Sequence, residues 1–565
     1  MQHGQGLSSP APAPGGNFPH LRIASLINCV SDSMGDSSSD ATVKIDSGSL
    51  AGIRFSNGTR AFYGIPYAAP PVGHLRWRPP ELPSPWAGTR PAKDFGPSSF
   101  QFAPPSTSLY YGGEKEFSED CLYLNVYTGS EESRSQPVLV YFHFGAFQMG
   151  SASNPIYDGR KLAAEDITVV TVNYRLGVLG FLAHKLLSEE SGYGGSGNYG
   201  IMDQIAALGW VQRNIKVFGG DPGNVTIGGV SAGGSSVHIL RASPLARGLF
   251  RKAICESGPG IAPERQESGH MGSFTTLSVA EKAGGELMDI LGIQSLDELR
   301  SLPAEKLASV QLPRTSGPWE CDLFPGSLSV SVFDTRYPII DGHVLPMSPL
   351  KALLSGQTAD VPLLAGNAGN EGSGLMQIRS LKKYLEYVHE NFGAHAEDAL
   401  RLYPATSDAE AWTSSAQLLA DQTFTYPVWT AARLQAKNMK SPAWYYQFLR
   451  TPPIPADSDL LEKEYAGAFH GAATLYAFGN LDSRKWRWTE DDRALSRNVM
   501  RATTNFLSTG VPAESEKAWP VLSSSSDGAG ILCYGEDCEA SATQVPERLK
   551  EISAFWDGYY GIETT

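Results

Sequence analysis

Gly229-Val230-Ser231-Ala232-Gly233 follows a β-rich run, Asn224-Val225-Thr226-Ile227-Gly228, and precedes an apolar helical pattern from Ala232 to Leu240. A serine flanked by small residues at a strand-to-helix junction reads as a nucleophile elbow, a turn so tight that bulkier neighbours would not fit. The helix that follows points its free N–H groups and positive dipole end at negative charge developing beside the serine. In a chain with 59 glycines the pentapeptide alone is equally well explained as an ordinary glycine turn. Its place between strand and helix is what gives it weight.

Upstream, Val138-Leu139-Val140-Tyr141-Phe142 is a continuous β-branched and aromatic run after Pro137 and reads as a buried strand. It leads into His143-Phe144-Gly145-Ala146-Phe147, where an α/β-hydrolase builds its oxyanion hole from a His-Gly-Gly-Gly-type loop. Acyl transfer places charge on a carbonyl oxygen, and each preorganised N–H donor lowers the barrier by about 3–4 kcal/mol. The expected donors are the backbone N–H groups of Gly145, Ala146 and Ala232. The alternative for 143–147 is a plain strand-end turn.

Chain order then constrains the remaining partners, because this chemistry runs serine, acid, histidine along such a chain. Val361-Pro362-Leu363-Leu364-Ala365 reads as a strand and Gly366 to Gly372 as the loop after it, which makes Glu371 the candidate acid. Three histidines follow it. His389 and His395 lie in a charged helical stretch with Lys382, Lys383, Glu386 and Glu390 and read as surface residues. His470 sits in Gly467-Ala468-Phe469-His470-Gly471-Ala472, whose small residues leave room for substrate and ring motion, and it is the candidate base.

Taken together the chain resembles a type-B carboxylesterase of fungal type, in the family that also holds cholinesterases and certain fungal lipases. The residues that carry the likeness span nearly everything beyond the first forty: Phe62 to Ala68, Pro70 to Arg76, Ser118 to Asn125, Asn173 to Gly177, Gly219 to Pro222, the elbow, and Gly467 to Gly471. The resemblance implies an α/β-hydrolase fold, a large mixed central sheet flanked by helices. It also implies ester hydrolysis with Ser231 as nucleophile, His470 as general base and Glu371 as its orienting acid. It further implies ion pairs of Arg76 with Glu119 and of Arg175 with Asp203, so Glu119, Asp120 and Asp203 read as scaffold. Asp221-Pro222 likewise reads as a structural turn into the serine strand. By the same likeness Tyr110, Tyr111, Phe144, Phe147 and Phe469 would lie near the substrate pocket, although each could equally be core.

Two departures from the family pattern stand out. Phe144 replaces a usual glycine in the oxyanion loop, which leaves the donors at Gly145 and Ala146 but reshapes the space beside them. The cysteine that would bridge to Cys121 in secreted relatives is replaced by a serine, Ser99, so that bridge cannot form. Six cysteines in 565 residues do not make a disulfide framework, and Cys533 and Cys538 are expected as two thiols rather than a bridge. No metal or other cofactor is expected.

Residues 1–40 are rich in Ser, Pro and Gly and read as a disordered leader, followed by one domain over 41–565. Within it, a small antiparallel sheet at roughly 42–67 would lead into the central sheet. Segments 260–330 and 372–440 would be helical insertions over the site, with helices such as Leu277–Leu291 and Leu381–Glu390. The stretch 21–30 is too interrupted by polar residues for a secretory core. Asn57-Gly58-Thr59 and Asn224-Val225-Thr226 match the glycosylation pattern but read as a hairpin turn and a strand entry. A cytoplasmic setting is therefore expected, with secretion the alternative. The net charge of −14 argues against a nucleic-acid partner, and no apolar run approaches a membrane span. The partner expected is a small ester, with the oligomeric state left open. The alternatives are an acyltransferase or lactone-forming enzyme working through the same acyl-serine, and a non-catalytic cholinesterase-like binding protein.

Overall fold

In the computed structural model the described residues are 39–562 apart from 102–103, 115, 132–133, 265–272, 310–317, 320–332, 373–374, 461–462, 464, 514, 516–517 and 524–529. The strands among them are β1 (Ser39–Ile45), β2 (Gly48–Arg54), β3 (Arg60–Pro66), β4 (Thr89–Pro91), β5 (Ser98–Ser99), β6 (Phe117–Ser118), β7 (Tyr123–Thr128) and β8 (Gln136–Phe142). They continue with β9 (Thr168–Val172), β10 (Gly220–Val230), β11 (Lys252–Glu256), β12 (Leu363–Ala368), β13 (Ala443–Phe448), β14 (Gly530–Tyr534) and β15 (Ala540–Gln544). One mixed sheet runs β1-β2-β3-β7-β9-β8-β10-β11-β12-β13-β14-β15, with β4 beside β2. Helices flank it, which is the α/β-hydrolase architecture.

The central strands β9, β8, β10, β11, β12, β13 and β14 run parallel. Covered on both faces, such strands are written as continuous apolar runs. β9, Thr-Val-Val-Thr-Val, is buried at every residue. The parallel register pairs Gly229 with Phe142, Val230 with Glu256, and Glu256 with Gly366. The residues just past these strands (143–147, 231, 257 and 369–371) are thereby gathered at one edge of the sheet, where open α/β sheets bind ligands.

The antiparallel strands β1–β3 do not form a sheet of their own, as the sequence suggested. β3 pairs with β7 and joins them to the central sheet, and all of β3 except Gly64 is buried. The β2–β3 turn follows the Asn-Gly expectation: Gly58 has φ 85°, and Asn57 Oδ1 accepts from the Thr59 N–H at 3.1 Å. Asp221-Pro222, expected as a turn ahead of the serine strand, instead lies within β10, where the pairing register shifts between Gly220 and Val225 and Asp221 Oδ1 accepts from the Gly223 N–H at 2.8 Å.

Between β12 and β13 lie the helices Leu381–Phe392, Ala396–Leu402, Asp408–Ala420 and Tyr426–Asn438, the last two joined through a single wide turn at Asp421–Thr425. The helix Leu277–Leu291 packs so closely on the chain near Ala183 that a Cβ at Gly284 would collide with the Ala183 carbonyl. The described residues between 39 and 562 belong to one compact unit, whereas the expected leader lies outside the described residues as far as residue 38.

Both ion pairs implied by the resemblance are present. Arg175 holds Asp203 through Nε (2.8 Å) and Nη2 (2.7 Å), both side chains being almost fully buried. Arg76 holds Glu119 through Nε (2.7 Å) and Nη2. Cys121, Cys255, Cys533 and Cys538 are free thiols, and Cys29 and Cys321 lie outside the described residues. Burial pushes the Cys121 thiol up to about 12, with Ser99 as its hydrogen-bonding neighbour. The same serine's Oγ accepts from the Leu176 N–H at 3.1 Å.

Candidate active site

β10 ends at Val230, and the chain turns through Ser231 into the helix Ala232–Ala242. Ser231 has φ 60° and ψ −120°, a conformation that costs a side-chain-bearing residue about 1–3 kcal/mol. Its N–H donates to the Glu256 carbonyl at 3.0 Å, and its own carbonyl accepts from the Ser235 N–H at 2.8 Å. A Cβ on Gly229 would sit 2.5 Å from the Gly233 carbonyl carbon, and one on Gly233 would collide with the Phe142 carbonyl oxygen. Those clashes explain the two glycines around the serine. Ser231 stays half-buried while the helix behind it is fully buried.

The loop after β8 is also strained. Gly145, Ala146 and Phe147 have φ of 117°, 50° and 58°. The Gln148 and Met149 N–H groups close the bend on the Gly145 carbonyl (2.8 and 3.0 Å), and the Gly177 N–H holds the Phe147 carbonyl at 2.7 Å. Burial pulls His143 down to about 4. The neutral ring donates from Nδ1 to the Phe144 carbonyl at 2.7 Å and stacks on Tyr174. Among the described residues nothing accepts from the Gly145 or Ala146 N–H. Ala232 opens its helix, ahead of the first i→i−4 acceptor.

Glu371 and His470 meet directly. Nδ1 of His470 lies 2.5 Å from Glu371 Oε2, while Glu371 Oε1 accepts from Ser257 Oγ at 2.5 Å and from the Ala368 N–H at 2.6 Å. The two side chains are 1% and 3% exposed, so the orientation is enforced on every side. His470 Nε2 is buried and has no hydrogen-bond partner among the described residues. It makes no hydrogen bond to Ser231 Oγ. The histidine's loop nevertheless lies against the serine turn, since a Cβ on Gly471 would sit 3.8 Å from Val230 Cγ2. Of the two other histidines, His389 is exposed and His395 half-buried beside Tyr559.

Around this pair the aromatics divide. Tyr110 lies 6.4 Å from His470 and 5.8 Å, edge-on, from Phe144, ring centre to ring centre. Phe147 instead packs in the core against Phe181 and Tyr337, so its expected place near the pocket is not observed. Sequence reasoning missed Phe424, whose ring is 4.3 Å from His470, together with Ser257 and Glu256. Ser257 had a visible signal: it follows the first strand after the elbow, at the sheet edge where such sites assemble. Among the described residues no cluster of three His, Cys, Asp or Glu side chains could hold a metal ion.

Residues 39–532 match the sequence model of the carboxylesterase family. The chain belongs to that family. This carboxylesterase is 36% identical over 486 residues to fumonisin B1 esterase of Sphingopyxis macrogoltabida, covering 84% of this chain and 83% of that one. It is 35% identical over 516 residues to para-nitrobenzyl esterase of Bacillus subtilis (88% and 95%), and 32% identical over 513 residues to human cocaine esterase (84% of each). A solved para-nitrobenzyl esterase structure superposes with a TM-score of 0.75 at 32% identity, over 91% of this chain and 99% of the other. The carboxylesterase is a carboxylic ester hydrolase, as those relatives are. They are bacterial and human, and support the family but not the fungal-type placement. No helix among the described residues is long and apolar enough to cross a membrane.

Proposed function

We propose that this carboxylesterase cleaves its ester through an acyl-serine on Ser231, with His470 and Glu371 completing the triad. The observation that carries the reading is the Glu371–His470 contact, with Nε2 left unpartnered beside a strained serine turn. His470 Nε2 takes the Ser231 hydroxyl proton as Oγ attacks the ester carbonyl carbon. The Gly145, Ala146 and Ala232 N–H groups bind the oxyanion of the tetrahedral intermediate. The C–O bond to the alcohol breaks, and the alcohol leaves with the proton from His470. Water then attacks the acyl-serine by the same route, releasing the acid and restoring Ser231. Throughout, Glu371 fixes the tautomer that carries the proton on Nδ1 and stabilises the imidazolium.

The test is intact-protein mass after treatment with a fluorophosphonate, in wild type and Ser231→Ala, beside turnover of p-nitrophenyl esters from acetate to palmitate. One adduct on wild type and none on Ser231→Ala is expected, with kcat lowered about 10⁶-fold in the variant. An adduct that persists in Ser231→Ala would remove the serine from its role.

A further inference from the structure

Glu256, at the end of β11, is buried beside the candidate site, and the mechanism above gives it no part. Its backbone oxygen accepts from the Ser231 N–H at 3.0 Å. Its Oε1 accepts from Thr474 Oγ1 at 2.8 Å, four residues beyond His470 on the helix Ala472–Ala477. The next residue, Ser257, is the one that donates to Glu371. A single position is thus bonded to the serine turn, to the histidine's helix and, through its neighbour, to the acid.

The carboxyl lines a cavity of about 40 Å³. Tyr141, Tyr446 and Tyr534 face that cavity from β8, β13 and β14, and uncharged Val499, Ala502 and Thr503 face it from the helix Glu490–Thr509. No cation lines it. Among the described residues the charge that acts on the carboxyl is the Glu371 carboxylate. Burial pushes the Glu256 carboxyl up to about 8; the Thr474 hydroxyl bond pulls against that rise, and the Glu371 charge adds to it.

We infer that Glu256 is a positioning residue that works as a neutral acid. Its backbone oxygen holds the Ser231 turn and its side chain accepts from the His470 helix; as a neutral acid it does so without opposing Glu371, and on losing its proton to solvent it sets a second carboxylate against Glu371 and loosens the acid–histidine pair. Two like charges sharing a dry site cannot both be held comfortably. This rests on the acyl-serine reading and adds an alkaline limit to it.

The experiment is the pH dependence of kcat/KM for p-nitrophenyl butyrate in wild type, Glu256→Gln and Thr474→Val. Glutamine keeps an acceptor for Thr474 and cannot ionise. The wild type should decline above about pH 8 and Glu256→Gln should not, so their ratio changes about tenfold between about pH 7 and about pH 9.5. Thr474→Val removes a bond that favours the anion, so its decline should move to higher pH. Stability gives a second readout. Folded Glu256 keeps its proton to about pH 8 and the unfolded chain only to the ordinary 4.5. Wild type should therefore lose thermal stability relative to Glu256→Gln as pH rises across that window. Parallel activity profiles in wild type and Glu256→Gln overturn the inference. Should Glu256→Gln not fold, an unshifted decline in Thr474→Val overturns it. Either result, with the fluorophosphonate adduct absent from Ser231→Ala, leaves the acyl-serine reading standing; an adduct retained there sinks that reading instead.

Discussion

On the acid–histidine side of the site, Glu371 is held by Ser257 Oγ, the Ala368 N–H and His470 Nδ1, all at 2.5–2.6 Å in a nearly dry wall. On the serine side, Ser231, Gly145, Ala146 and Phe147 all carry positive φ, and the Gly145 and Ala146 N–H groups bond nothing among the described residues. One half satisfies the carboxylate and Nδ1 to fix a single orientation, leaving only His470 Nε2 unpartnered among the described residues. The other keeps donors unsatisfied and backbone strained, a cost that the proposed mechanism would recover when an oxyanion forms there. Interactions realised in the transition state alone are the ones that raise kcat.

Breaking the satisfied half should cost most. Glu371→Gln keeps the volume but offers Nδ1 an amide in place of a carboxylate, which frees the ring to adopt the wrong tautomer. We expect kcat to fall about 10⁴-fold while a thermal melt shows the fold intact. A loss below tenfold would mean that the orientation of His470 does not depend on its acid.

The strained half leans on a buried ion pair. Arg175 and Asp203 fix the chain just before Gly177, whose N–H holds the Phe147 carbonyl. Asp203→Leu leaves the guanidinium buried and unpaired, at a cost of about 3–5 kcal/mol. Denaturant unfolding should show that drop, and a change under 1 kcal/mol would mean that the loop is supported elsewhere. Within the loop itself, Gly145→Ala places a Cβ against the Met149 carbonyl at a φ of 117°. The donors should then shift and kcat fall about 10²–10³-fold, with KM nearly constant. A rise in KM at constant kcat would assign the loop to substrate binding instead.

What the sequence made legible follows from the same physics. The cores of β8 and β10 were legible, β8 as a nearly continuous apolar run and β10 as the β-rich stretch before the serine, although both strands begin earlier, at Gln136 and Gly220. β12 extends to Ala368, past the expected end at Ala365, because Gly366-Asn367 does not look like strand. In the fold the buried Asn367 is satisfied from both strands, accepting from the Tyr445 hydroxyl of β13 and donating to the Ala368 carbonyl of its own strand. The pairing of β3 with β7 joins Pro66 to Tyr123, a separation no local pattern reveals. Likewise Ser257 and Glu371 lie 114 residues apart, so the sequence pointed to Glu371 as the candidate acid but not to the hydroxyl bonded to it. Phe424 enters from an insertion whose helices were legible but whose wide turn was not.

Phe144 offers the finest test, because it sits where the two halves meet. Its N–H is bonded to the Tyr157 hydroxyl at 3.3 Å, and its ring packs against Tyr110 and Tyr157, with Tyr110 facing His470 in turn. Phe144→Ala leaves the backbone bond untouched and removes only the ring, so the oxyanion donors should stay in place. If the ring walls the acyl pocket, the p-nitrophenyl ester optimum should move to longer chains. The preference for a long over a short acyl group should then grow about tenfold, within the range that a few methylenes of apolar contact can supply. If instead the ring is core, the optimum will not move, and the variant will show only the stability loss of a truncated buried aromatic, about 3–5 kcal/mol. The two readings predict losses on different axes, which is why this substitution separates a pocket wall from packing beside the candidate oxyanion loop.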